Sequence, residues 1–163
     1  EADARGFVHR LKYSDRLDLA RPMGRLMAAS GAEVLAADDL IVPVPLHWTR
    51  LLWRRFNQAQ ALAEEVSRHS GVPVDPLLLK RKKRTPQQVG LTRTQRQSNL
   101  QGAFAVPEDS RPRLDGKRVV LVDDVHTTGA TLNACARVLR RAGAANIDVL
   151  TFTKVANALS NTI

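Results

Sequence analysis

Runs of aliphatic residues alternate along this chain with stretches whose apolar side chains recur every three or four positions, and that alternation predicts an α/β domain. Val119, Val120, Leu121 and Val122 stand in succession, the pattern of a strand covered on both faces and so of a parallel sheet. Leu40 to Val44, closed by Pro43 and Pro45, reads as the first clear strand and Ile147 to Thr153 as the last. Asn57 to about Ser70 predicts a helix with Ala59, Leu62, Ala63 and Val66 inward. A second helix runs from about Thr131 to Ala142 with Leu132, Cys135, Ala136 and Leu139 on one face, and Gly143 ends it. Leu77 to Leu79 and Ala103 to Val106 predict short strands. Phe7, Leu11, Leu17, Leu19, Met23 and Leu26 predict two short opening helices, or a helix and turn, that serve packing; Pro22 is tolerable near a helix start. Thr85 to Leu100 mixes Pro86, Gly90 and glutamines and predicts a mobile loop, and Pro107 to Gly116 predicts a surface connection. Strands alternating with helices imply a central parallel sheet flanked by helices, with right-handed crossovers.

Chemistry concentrates where the strongest strand ends. Asp123 and Asp124 follow Val122 directly, and Thr127, Thr128, Gly129, Ala130 and Thr131 lead into the next helix. Carboxylates at the carboxyl end of a parallel strand stand where open α/β sheets bind ligands. A helix start carries unpaired amide donors and the positive end of the helix dipole, which favour a phosphate; Gly129 permits close approach and the threonines add hydroxyl donors. The two carboxylates would repel that phosphate directly but can accept from sugar hydroxyls. The combination defines ribose 5-phosphate as the ligand expected here. No lysine follows the glycine and no G-x-G-x-x-G occurs, which sets aside a nucleotide P-loop and a dinucleotide fingerprint. A structural alternative stands beside this reading, in which the aspartates only close a strand and the threonines only cap a helix.

Length and charge refine the picture. At 163 residues the chain is sized for one domain spanning residues 1–163. No apolar run approaches the ~20 residues that span a bilayer, and the opening EADARGFVHR lacks the apolar segment of a secretory signal, so a cytoplasmic location is expected. Cys135 is the single cysteine, which excludes an intrachain disulfide; its place on an apolar helix face predicts burial. The net charge of +9 has a location: no acidic residue occurs between Pro76 and Pro107, a stretch that holds Lys80, Arg81, Lys82, Lys83, Arg84, Arg93 and Arg96. Such a block concentrates pyrophosphate, nucleotide or nucleic acid, and its sign alone does not choose among them.

The segment VVLVDDVHTTGAT from Val119 to Thr131 resembles the signature for 5-phosphoribosyl-1-pyrophosphate (PRPP) of type I phosphoribosyltransferases, and more of the chain resembles one branch, the competence-associated ComF family. The likeness there runs through IVPVPLH at Ile41 to His47, RRFNQAQALA at Arg54 to Ala63 and RTPQQVGLTRTQRQSNLQGAF at Arg84 to Phe104. It implies the type I phosphoribosyltransferase fold with a flexible hood loop. It also implies transfer of a 5-phosphoribosyl group from PRPP to a nitrogenous acceptor with release of pyrophosphate, within nucleoside metabolism. By that resemblance Asp123 and Asp124 orient the ribose, and Thr127 to Thr131 fix the 5-phosphate. Leu46 and His47, with Pro45 and Trp48, form a pyrophosphate loop after the first strand. Arg84 and Arg96 are the catalytic cations of the hood, and Gln88 binds substrate beside them. Mg²⁺ would be held mainly by substrate oxygens and not by a protein cage.

The resemblance has departures. ComF-like proteins usually carry glycine where Arg55 stands, and Asn57 is equally a helix N-cap and a ligand residue. Purine-salvage relatives place an acidic residue where Thr127 stands, so a purine acceptor is disfavoured and the acceptor is left unidentified. The pattern is nearer to the transferase half of glutamine amidophosphoribosyltransferase, without a glutaminase portion. His126 falls at a variable position of the signature, where packing or solvent contact is expected of it. The family's amino-terminal four-cysteine zinc module is missing; the chain starts near where that module would end, which reads as a truncated or shortened member. A second class of function stays open: a PRPP-sensing or DNA-uptake accessory protein that does no chemistry. In that reading the basic 80–96 segment meets DNA or the competence machinery, although no aromatic residue interrupts Lys80 to Gln101 for base stacking. The family often pairs, so a homodimer is part of the expectation.

Overall fold

The computed structural model describes residues 19–46, 56–83, 100–126 and 129–154. Its centre is a parallel sheet of β1 (Leu40–Pro43), β4 (Arg118–His126) and β5 (Asn146–Lys154), in the order β1-β4-β5. Leu40 to Pro43 lie beside Val119 to Val122, and Arg118 to His126 beside Asn146 to Lys154. On the far side of β1, Ile41 bridges Val74 in parallel. Val119 through Val122 are all fully buried, as a doubly covered strand requires, and each such aliphatic stabilises the fold by about 1.5–3 kcal/mol.

Successive strand residues point to opposite faces, and the two faces have separate cores. Val119 and Leu121 join Val42, Leu132, Cys135 and Leu139 beneath α5 (Ala130–Arg141). Val120 and Val122 join Ile41, Leu62, Val66, Met23 and Met27 beneath α1 (Ala20–Ser30) and α3 (Gln58–Ser70). The short α2 (Ala32–Ala37) leads into β1, with Leu35 buried. Close packing of α1 on α3 depends on Gly24, where an added Cβ would sit 2.3 Å from the Cβ of Glu65. Glu65 is itself buried and paired with the Arg68 guanidinium.

Several sequence expectations shift. The strand expected at Leu77–Leu79 forms instead as β2 (Lys80–Arg81); Leu78 and Leu79 are buried core residues in a turn, where Asp75 Oδ1 accepts from the Leu77 amide. The strand expected at Ala103–Val106 shortens to β3 (Phe104–Ala105) and pairs antiparallel with β2, outside the parallel sheet. The pair ties together the two feet of the 84–99 segment, aided by Lys82 N–H to the Ala103 carbonyl at 2.7 Å and Lys83 Nζ to the Gln101 carbonyl at 3.1 Å. Residues 107–116 are more than a surface connection: a 3₁₀ turn (Glu108–Ser110) precedes α4 (Arg111–Leu114), which buries Leu114. Leu26 was expected to pack, yet it is 60% exposed, because Met23 and Met27 occupy the inward face of α1. Phe7, Leu11 and Leu17 lie outside the described residues.

Candidate functional site

The crossovers define a crevice. From β1 the chain returns through α3 on one face to Val74 on one flank; from β4 it returns through α5 on the other face to β5 on the opposite flank. Connections that diverge in this way leave an opening between the carboxyl ends of β1 and β4, the switch point where such sheets bind ligands. The opening is visible in the ladder: β1 stops opposite Val122, where Val44 N–H donates to the Val122 carbonyl, while β4 continues to His126 against β5 alone. Asp123 and Asp124 therefore lie beyond the end of β1 but inside β4, toward the carboxyl end at which the sequence pattern placed them.

Asp123 pairs with Thr151 of β5, and the register resumes at Val125 beside Thr153. Asp123 is half-buried, and its charge acts on the Cys135 thiol beneath α5. Asp124 is buried, and Val125 after it packs with the core that holds Val120 and Val122. Asp123 Oδ1 accepts the Asp124 amide at 2.9 Å, which holds the first carboxylate against its own backbone. Burial, then the Asp123 charge, push the Cys135 thiol far up, partly offset by Arg81, so the buried cysteine is an inert core group.

Arg81 is a residue whose place the sequence did not single out. Lys80, Lys82 and Lys83 are exposed as a solvated charge block would be. Arg81 is half-buried and lies over the Phe104 ring, its guanidinium carbon 5.3 Å from the centroid, and its charge reaches Cys135 together with that of Asp123. One cation of the basic block thus turns inward, onto the Phe104 ring. An arginine flanked by lysines carries no sequence mark of this; only the alternation of β2 beside a buried phenylalanine hints at it.

The phosphate end of the site is built by Gly129. It is the N-cap of α5 with φ 73° and ψ 0°, a left-handed conformation that glycine adopts without strain. A Cβ there would stand 2.8 Å from His126 Nε2 and 3.5 Å from Asn133 Nδ2. His126 therefore packs on the turn, as expected of it, and makes the turn intolerant of a side chain. The N-cap is a glycine, which brings no side chain of its own, and no acidic residue lies in the first turn of α5. Ala130 is buried and Thr131 half-exposed at the helix start. Amides at a helix start favour an anionic acceptor.

Leu46 follows β1 and is half-buried at the rim. Asn57 spends its amide on structure: Oδ1 accepts from the Ala59 amide at 3.1 Å as an N-cap, and Nδ2 donates to the Val44 carbonyl at 3.1 Å. This ties the start of α3 to the end of β1. His47, Arg84, Gln88, Arg96, Thr127 and Thr128 lie outside the described residues. Among the described residues no three His, Cys, Asp or Glu side chains converge on a metal position, and no helix is long and apolar enough to cross a membrane.

A parallel sheet with one acidic strand end and a glycine-capped helix at its switch point is the type I phosphoribosyltransferase architecture. The model of the phosphoribosyl transferase domain family matches residues 57–159. The chain is 35% identical over 147 residues to Competence protein F of Haemophilus influenzae, covering 87% of this chain and 64% of that protein. It is 36% identical over 148 residues to DNA utilization protein YhgH of Escherichia coli K12, covering 87% and 63%. The chain thus spans less than two-thirds of the length of either relative. Among solved structures, glutamine phosphoribosylpyrophosphate amidotransferase from B. subtilis shares the fold, with a TM-score of 0.54 at 21% identity over 80% of this chain and 25% of that one. The chain belongs to the phosphoribosyl transferase domain family, in its competence-associated ComF branch.

Proposed function

We propose that the crevice binds PRPP and that the chain transfers its 5-phosphoribosyl group to a nitrogenous acceptor, releasing pyrophosphate. The observation that carries this reading is the left-handed Gly129 at the amino terminus of α5, three residues beyond the end of the strand that holds Asp123 and Asp124. Anion donors and hydroxyl acceptors there match the two halves of a sugar phosphate. In this reading the first-turn amides from Ala130 and Thr131 hold the 5-phosphate, with Thr127 and Thr128 beside them. Asp123 and Asp124 accept from the ribose hydroxyls. Mg²⁺ bound with PRPP would be held mainly by substrate oxygens and waters, and Asp123 and Asp124 would be the carboxylates available to it. Its chemistry is neutralisation of the charge that grows on the leaving pyrophosphate. Leu46 and His47 border that group, and Arg84, Gln88 and Arg96 close over it, adding positive charge and excluding water from the oxocarbenium-like ring carbon. The rate then comes from positioning and charge stabilisation.

A second reading draws on the names of the relatives, Competence protein F and DNA utilization protein: the pocket senses PRPP without chemistry, and the basic 80–96 segment meets DNA. Titration calorimetry with PRPP and Mg²⁺, then a pyrophosphate-release screen over nucleobases, amines and ammonia, separates the two. Release with one acceptor supports the transferase; binding with no release across the screen supports the sensor. Asp123→Asn with Asp124→Asn weakens PRPP binding at least tenfold while the protein still unfolds cooperatively, and unchanged affinity would remove the ribose assignment.

A further inference from the structure

The amino terminus of α3 opens onto the same crevice from the other face of the sheet, and it holds a buried donor with nothing to bond. Gln58, the first residue of α3, is 4% exposed, and its Nε2 is buried without a hydrogen-bond partner. Native structures seldom leave a buried amide donor unmatched, because its desolvation is not recovered. The position is well defined. Gln58 falls on the stripe of Leu62 and Val66, which pack in the core that contains Val120 and Val122. One helical turn nearer the carboxyl end of the sheet, it lies on the face to which Val120 and Val122 belong. Asn57 anchors this turn to Val44, at the mouth of the crevice.

We infer that Gln58 donates its side-chain amide to the diphosphate of a bound phosphoribosyl diphosphate, so that the ligand's two anionic ends lie at two helix amino termini on opposite faces of the sheet. The inference rests on the proposed PRPP site. The chemistry selects the diphosphate among the oxygens that PRPP offers. The 5-phosphate is assigned to the α5 terminus on the other face, and the ribose hydroxyls have carboxylates to accept from them. A donor at a helix start without an acidic residue in its first turn favours an anionic oxygen. This use of Gln58 also accounts for a side chain that the fold leaves unsatisfied.

The test compares wild type with Gln58→Leu, which keeps the volume and removes the donor, and with Gln58→Met should the first variant fail to fold. Titration calorimetry is run in Mg²⁺, with PRPP, pyrophosphate and ribose 5-phosphate as separate probes; thermal unfolding is followed without ligand. The expected result is a tenfold or greater loss of affinity for PRPP and pyrophosphate, ribose 5-phosphate affinity within twofold of wild type, and a Tm equal to or above wild type. Affinities for PRPP and pyrophosphate within twofold of wild type overturn the inference while leaving the PRPP site intact. An equal loss for ribose 5-phosphate, or a Tm that falls in both variants, also overturns it, since Gln58 would then act on the pocket as a whole or on the fold. A wild-type protein that binds none of the three probes refutes the site itself, and this inference with it.

Discussion

Replacing Gly129 by alanine perturbs the turn on which the phosphate assignment depends, and its cost can be worked from two terms. The residue sits at φ 73°, where a Cβ costs roughly 1–2 kcal/mol. That Cβ also meets His126 Nε2 at 2.8 Å. Because Nε2 is the far end of a side chain, the ring can swing aside, at about 0.5–1.5 kcal/mol for an unfavourable rotamer. Together the terms come to about 1.5–3.5 kcal/mol, and for a chain of this size each kcal/mol lowers Tm by roughly 2–4 °C. Urea unfolding of wild type, Gly129→Ala, His126→Ala and the double variant closes a cycle. In the His126→Ala background the glycine substitution should cost only the backbone term, leaving a coupling of about 1 kcal/mol. The same substitution should weaken PRPP binding at least tenfold, because the amides at the start of α5 are displaced from an incoming phosphate. A Gly129→Ala protein within about 0.5 kcal/mol of wild type would falsify the strained-turn argument. An identical cost in both backgrounds would show that His126 does not press on the turn.

Three further outcomes follow from the packing. Gly24→Ala should destabilise by about 1–3 kcal/mol through overpacking, despite alanine's better helix propensity, because the new Cβ meets the Cβ of Glu65 at 2.3 Å and lies 3.4 Å from its Cα; chemical unfolding that shows a gain would refute the close approach of α1 to α3. Asn57→Ala should cost about 1–2 kcal/mol as a lost N-cap, and hydrogen exchange at the Ala59 amide should accelerate; unchanged exchange would contradict the cap. Asp38 is buried with neither carboxylate oxygen hydrogen-bonded, and burial, followed by the Asp148 charge, raises its pKa above the ordinary 3.8, with Arg118 partly offsetting. The folded state then holds the proton more tightly than the unfolded chain, so the stabilising contribution is complete below 3.8 and lost as pH rises through the raised value. Asp38→Asn should therefore raise Tm at neutral pH, with the advantage shrinking as pH falls toward that range, and a Tm difference independent of pH would refute the shift.

Much of the architecture was legible from residue pattern because burial on both faces leaves a strong trace. Val119 to Val122 read as a strand covered on both faces, and all four are fully buried. The 3.6-residue repeats of α3 and α5 placed Leu62, Val66, Leu132 and Leu139 inward, where they lie. Local turn chemistry was legible as well: Gly129 at the mouth of a helix after an acidic strand end marked the candidate phosphate site before any fold was known. Short elements were less readable. β2 and β3 are two residues each, too short for a period to register, and their antiparallel pairing depends on a contact across more than twenty positions of chain.

The amino-acid sequence by itself determined the strands of the parallel sheet and the long helices α3 and α5, and that two carboxylates would stand at one strand end with a glycine turn after them. Only the tertiary structure decided that Asp123 and Asp124 lie inside β4 but beyond the end of β1, because β5 goes on pairing with β4 as far as His126. It alone brought Arg81 over Phe104 and left the buried Gln58 amide unmatched at the start of α3. Those placements arise from contacts between elements distant in the chain, and no local repeat of polar and apolar residues records them.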